Sequence, residues 1–153
     1  MTNGVANAVF IDTNILVYAN VQESPFHEVA LQTIQNYYDA GFDLWISRQV
    51  LREYLRTLTR PQAFVNPQPL AIVIARVRFF QTQFRIAEDN QQVTERLLRL
   101  MEQIPIGDRQ VHDANIVATM LVYGINQILT NNVADFNRFS QVITVLPLVG
   151  NES

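Results

Sequence analysis

Short segments fit for buried strands alternate along this chain with segments of helical period, and this alternation narrows the possible folds more than any other feature. Ala8–Ile11 (AVFI) is apolar and stops at Asp12-Thr13-Asn14, as a buried strand feeding a turn does. Ser24-Pro25 offers a cap followed by proline at the first helical position, and Gly41 stops the helix after about Ala40. Leu44–Ile46 reads as a second strand, and Ser47 caps a helix to about Thr59. Pro61–Pro69 holds three prolines and reads as a loop, with Asn66-Pro67 opening a helix over roughly 67–84. Arg85–Ala87 is a third strand, and Asp89-Asn90 caps a helix to about Gln103. A further helix is expected from about Asp113 to Gly124, then a fourth strand at Gln127–Leu129, a helical turn at Ala134–Phe139 and a fifth strand at Val142–Leu146. Strands alternating with helices predict an α/β layer fold on a parallel sheet. A length of 153 residues suits one domain over 1–153, with 1–7 and 149–153 frayed.

The chemistry open to this chain is limited by what it lacks. It has no cysteine, which excludes disulfides, thiolate catalysis and cysteine-bound zinc. It has no lysine either, because all 11 basic residues are arginines. That removes the lysine-bearing phosphate loop and Schiff-base chemistry. With only His27 and His112, a histidine-rich metal site is not expected. The remaining inventory of carboxylates, hydroxyls, amides and arginines suits hard cations such as Mg2+ or Mn2+. No apolar run nears the roughly 18 residues of a membrane span. The opening MTNGVANA carries no basic residue and does not read as a secretory signal, so a cytoplasmic location is expected. The net charge of −3 runs against the usual balance of a nucleic-acid binder, and makes the distribution of charge the informative quantity.

That distribution favours one edge of the sheet. Ligands of open parallel sheets sit outside the carboxyl ends of the strands. Asp12 directly follows the first strand, Thr130 to Asp135 follow the fourth, and Asp113 lies near the start of the helix that leads into it. Glu53 lies on the helix after strand two. At about 100° per residue, Val50, Leu51, Tyr54, Leu55 and Leu58 form its apolar stripe, and Glu53 falls off that stripe toward a cleft. Carboxylates gathered without basic partners repel one another unless protonated or neutralised by cations. Paired divalent cations roughly 3.5–4 Å apart are the usual solution when such a group hydrolyses phosphodiesters.

Four fragments carry these residues: FIDTNILVYA (10–19), SRQVLREYLRTLTRP (47–61), VHDANIVATMLVYG (111–124) and ILTNNVADFNRF (128–139). In order and spacing they resemble the four motifs of PIN-domain ribonucleases, most nearly the VapC-type toxins of toxin–antitoxin pairs. The resemblance spans about residues 8–148. It implies a five-stranded, mostly parallel sheet flanked by helices. It also implies that Asp12, Glu53 and Asp113 are catalytic, metal-binding acids, with Asn14 a small polar residue beside the first and Thr130 a hydroxyl that orients water or phosphate. In the last motif, family members carry an acid where this chain has Asn132, or where it has Asp135; only the second is acidic here. The resemblance further implies an RNA substrate cut to a 5′-phosphate and a 3′-hydroxyl, Mg2+ or Mn2+ as cofactor, a homodimer, and a small VapB-like antitoxin as partner.

Arg48, Arg52, Arg56 and Arg60 recur every four residues and drift by only about 40° per step on a helix. They form a candidate ridge for the RNA backbone, since arginine grips phosphate bidentately. Asp108 in a Gly-Asp turn, His112 and Trp45 read as structural, and Phe79, Phe80 and Phe84 as core or dimer contact. An aspartate-nucleophile phosphatase fits poorly, because Asn14 stands where its second aspartate belongs and its lysine is absent. A DNA or structure-specific nuclease is a second alternative, and a PIN-like module that has lost activity and only binds RNA or protein is a third.

Overall fold

The computed structural model describes residues 7–148. The expected frayed ends lie outside that span, save for Asn7, which is exposed. Five strands among the described residues form one sheet: β1 (Ala8–Ile11), β2 (Asp43–Ser47), β3 (Arg85–Ala87), β4 (Gln127–Thr130) and β5 (Thr144–Pro147). Their order is β3-β2-β1-β4-β5 and every pairing is parallel. β1 is central, with Phe10 opposite Trp45 on one side and Ile128 on the other. Its four residues are all buried, which accounts for an unbroken apolar run rather than an alternating one.

Among the described residues, seven α-helices connect the strands: α1 (Thr13–Asn20), α2 (His27–Asp39), α3 (Arg48–Leu58), α4 (Leu70–Gln83), α5 (Gln91–Gln103), α6 (Gln110–Val122) and α7 (Val133–Phe136). A 3-10 turn, Asn137–Phe139, follows α7. Parallel crossovers are right-handed, so reversing the strand order at β1 and β4 sends α1–α4 to one face and α5–α7 to the other. The packing agrees: α1 lies against α2 and α3, and α5 against α6.

The local signals account for most boundaries. Ser47 Oγ accepts from Val50 N at 3.2 Å and opens α3. Asn90 Oδ1 accepts from Val93 N at 3.1 Å and opens α5. Gly41 and Gly124 both take positive φ, 89° and 74°, just past the ends of α2 and α6.

Four expectations need correction. The turn after Asp12 is instead the start of α1, capped by Asp12 Oδ1, which accepts from Thr13 N at 2.8 Å. α2 begins at His27, because Ser24 Oγ spends its capping capacity on a turn to Phe26 N at 3.1 Å. α4 begins at Leu70, since Pro67 and Pro69 keep the preceding chain extended. α6 begins three residues early, at Gln110, leaving Asp113 within its first turn.

The core fills both sides of the sheet with Ile15, Leu16, Tyr54, Met120, Phe136 and Phe139 among its largest buried side chains. Tyr54 packs edge-on against Phe80 at 5.0 Å, yet its buried hydroxyl has no partner. An unpaired buried hydroxyl costs roughly 1–3 kcal/mol. Tyr54→Phe is therefore expected to raise stability by about 1 kcal/mol in urea unfolding. A destabilised variant would show that the hydroxyl has a partner in solution.

Candidate active site

The order in which strands are added reverses between β1 and β4, where crossovers leave on opposite faces and open a crevice at the carboxyl edge. A cleft of about 610 Å³ lies there, lined by residues that include Asp12, Asn14, Glu53, Arg56, Asp113 and Asn132.

Asp12 forms the floor. It is 6% exposed, and its own N–H continues the strand ladder to Leu129 O at 3.1 Å. Its Oδ2 accepts from the Thr130 hydroxyl at 2.7 Å and from Asn14 Nδ2 at 3.1 Å. Asn14 Oδ1 accepts from Asn131 N at 3.1 Å, and Thr130 Oγ1 accepts from Asn132 N at 2.9 Å. Asn14 and Thr130 thus hold Asp12 and shape the turn after β4 together. Burial pushes the Asp12 carboxyl up to about 6, against the pull of the Thr130 and Thr13 hydrogen bonds and with a further push from Glu53.

Glu53 reaches the cleft from α3, off the buried stripe as expected. Its Oε1 accepts from the Thr13 hydroxyl at 2.8 Å, and its Oε2 from Gln49 Nε2 at 3.0 Å. Thr13 therefore serves both acids, through its backbone to Asp12 and its side chain to Glu53. Asp113 approaches from α6. Burial pushes it up to about 7, helped by the charges of Asp135, Asp12 and Glu53 and opposed by Arg138. Four acids thus meet in one electrostatic environment, three of them lining the cleft.

Asp135 stands apart from the others. It is exposed on α7 and acts on Asp113 by its charge, while Asn132 lines the cleft itself. Arg138, on the following 3-10 turn, supplies a basic neighbour that lies outside the four-residue arginine stripe. Among the described residues, no three acidic or histidine side chains close into a ready ligand set. The donors nevertheless fit a hard divalent cation. They are oxygen only, and two of the carboxyls are held above their ordinary range by burial and mutual repulsion, both of which a cation offsets.

The arginine ridge is broken up. Glu88 takes Arg48 in a two-pronged pair at 3.0 and 2.9 Å, and Gln81 accepts from it at 2.6 Å. Arg52 stands 3.9 Å from Asp89, and Arg60 falls beyond the end of α3. Only Arg56 of the four lines the cleft. The acids that precede α5 sit opposite the start of α3, an arrangement that helical spacing alone does not reveal.

His112 departs from the expected hydrogen-bonded structural histidine, whereas Asp108, Trp45, Phe80 and Phe84 lie as expected. The His112 side chain is exposed and lines the cleft, and its backbone carbonyl accepts from Gln49 Nε2 at 2.9 Å. Asp108 has φ 54°, consistent with a turn residue. Trp45 is partly buried against the core, with Arg85 over its ring at 5.9 Å. Phe80 is core, Phe84 packs against it, and Phe79 is 52% exposed.

The sheet order and the acidic crevice at its switch point together define a PIN-like α/β fold. A family model for the PIN domain matches residues 9–141, and the chain belongs to the PIN-domain family. Solved structures share the fold at low identity. VapBC from Salmonella typhimurium bound to DNA is 16% identical with a TM-score of 0.65, covering 93% of this chain and 98% of that one. A toxin–antitoxin complex from Klebsiella pneumoniae is 20% identical with a TM-score of 0.64, covering 92% and 98%. VapC20 of Mycobacterium tuberculosis, a toxin that cleaves the sarcin–ricin loop, is 20% identical with a TM-score of 0.58, covering 78% and 86%. No curated protein matches the chain.

Proposed function

We propose that this protein is a Mg2+- or Mn2+-dependent endoribonuclease and the toxin of a VapBC-type pair. One observation carries the reading: Asp12, Glu53 and Asp113 line one cleft, with Asp12 and Asp113 pushed to about 6 and about 7 by burial and mutual charge. Bound Mg2+ or Mn2+ would neutralise these acids and activate water for attack on phosphorus. Asp12, Asp113 and Glu53 would hold the cation, with Asp135 or Asn132 completing the set. Thr130 and Asn14 keep Asp12 in one orientation, and Thr13 keeps Glu53 beside it.

Water attack that expels the 3′ oxygen leaves a 5′-phosphate and a 3′-hydroxyl. Mapping the ends of cleaved RNA tests this; cyclic phosphate ends would contradict it, because they arise when the 2′-hydroxyl attacks instead.

Arg56 is the stripe member proposed to meet the RNA backbone. Arg56→Glu is expected to weaken RNA binding and lower the salt slope by roughly 0.7 for a single-stranded site. Arg48→Glu is expected to leave the slope unchanged, because Glu88 already occupies that guanidinium. Equal effects of the two would restore the continuous ridge.

The matched toxin–antitoxin structures support a small antitoxin as partner. A second copy of the chain is proposed on α4, whose Leu70, Ile72 and Phe79 are exposed. No helix among the described residues is long and apolar enough to cross a membrane, and a cytoplasmic location is proposed. The alternative, an inactive module that only binds RNA or protein, draws on the open spacing of the acids. A Mn2+ titration followed by thermal unfolding separates the two: saturating stabilisation supports the enzyme, and none supports the module.

A further inference from the structure

We propose that Gln49 is a positioning residue that ties Glu53 to the helix carrying Asp113. This inference rests on the metal-dependent nuclease reading. Gln49 lies one turn before Glu53 on α3 and is 6% exposed. A buried amide is unfavourable unless its polar atoms are paired. Here Nε2 donates to Glu53 Oε2 at 3.0 Å and to His112 O at 2.9 Å, while Oε1 accepts from Asn115 Nδ2 at 2.8 Å. Both amide hydrogens are used. An apolar side chain would fill this buried position beside Val50 without any such requirement, so fold stability does not call for glutamine.

The geometry gives the amide a different task. α3 and α6 follow from crossovers on opposite faces of the sheet and come together only over its carboxyl edge. Among the described residues, the hydrogen bonds between these two helices are both made by Gln49. One reaches the carbonyl of His112, immediately before Asp113. Glu53 is therefore held from two sides: Thr13, next to Asp12, bonds Oε1, and Gln49, bound to the start of α6, bonds Oε2. Three acids from three chain segments are kept in register by one hydroxyl and one amide. Asn115 fixes the far side of the amide and also lies 3.4 Å from Asp89.

Gln49→Leu keeps approximately the volume and removes every hydrogen bond. The test compares it with wild type in three readings: thermal unfolding, Mn2+ affinity by calorimetry without RNA, and the kcat and KM of metal-dependent RNA cleavage. The expected result is a folded protein with KM within about twofold, kcat lowered about 10- to 100-fold, and Mn2+ affinity weakened by a similar factor, as for partners that orient metal ligands. A folded variant with wild-type Mn2+ affinity and kcat overturns the proposal. If Gln49→Leu does not fold, Asn115→Ala decides, because among the bonds of the Gln49 amide it removes only the one to Oε1, besides the longer contact to Asp89. It is expected to weaken Mn2+ binding about threefold or more, a fraction of the full effect, and unchanged binding overturns the proposal. Wild-type protein that neither binds Mn2+ nor cleaves RNA overturns the nuclease reading and this inference together. Wild type that does both, beside an unaltered Gln49→Leu, removes this inference alone.

Discussion

Asp113→Asn is expected to slow RNA cleavage at least about 100-fold, beyond the scale of changes that only touch the partners of metal ligands. The same substitution is expected to make the metal-free protein more stable near pH 8. The two effects have one cause. Asp113 is pushed up to about 7 by burial and then by Asp135, Asp12 and Glu53, so its charge is unfavourable in the folded state unless a cation is bound. Asparagine has nearly the same shape and no charge to accommodate. Because the site is half-exposed, solvent screens part of the repulsion, and the gain expected at pH 8 is about 1–2 kcal/mol. At about pH 3, below the unfolded value of 3.8, the aspartate is largely protonated in both states and the two proteins should be nearly equal in stability. Urea unfolding at about pH 3 and pH 8 checks this. A variant less stable than wild type at pH 8 would mean that Asp113 is held by favourable partners rather than crowded by like charges.

The metal-free wild-type protein should lose about 2–3 kcal/mol of stability between pH 5 and pH 8 through Asp12 and Asp113. Both carboxyls have folded values above the unfolded one, at about 6 and about 7 against 3.8. In this interval the folded protein keeps protons that the unfolded chain has released. Stability is therefore fully present below the unfolded value and drains as pH rises through the folded values. Cation binding needs the ionised acids, so stabilisation by Mn2+ should grow over the same interval. The metal-free slope should largely vanish in a protein carrying both Asp12→Asn and Asp113→Asn. A slope that persists there belongs to other groups, and metal stabilisation that falls with pH contradicts the account.

The strands were legible because β1, β2 and β4 are buried and their apolar runs stop at recognisable polar turns. The caps at Ser47 and Asn90 were legible for a similar reason, since capping is decided within four residues. α1 was not, because TNILVYAN is apolar on most of its surface and shows no clear stripe; only Ile15, Leu16 and Ala19 are buried. A strand-end aspartate can as easily cap a helix as close a turn.

The positions of Asp12, Glu53 and Asp113 followed from strand ends and helix faces. Their supporting residues did not. Thr13 and Gln49 are ordinary in sequence, and their roles come from partners 40 and 63 residues away. Arg48 shows the opposite failure: a regular spacing suggested a shared surface, but Glu88, 40 residues on, takes the first arginine out of it.

The most direct test of the central claim is cleavage of a mixed single-stranded RNA pool by the purified protein with Mg2+, with Mn2+ and with EDTA, beside Asp12→Asn. The account predicts cleavage with either cation, none in EDTA, and at least a 100-fold loss in the variant, the scale set for ligand-orienting partners being a lower bound. Cleavage that survives EDTA or the loss of the Asp12 carboxylate would contradict it.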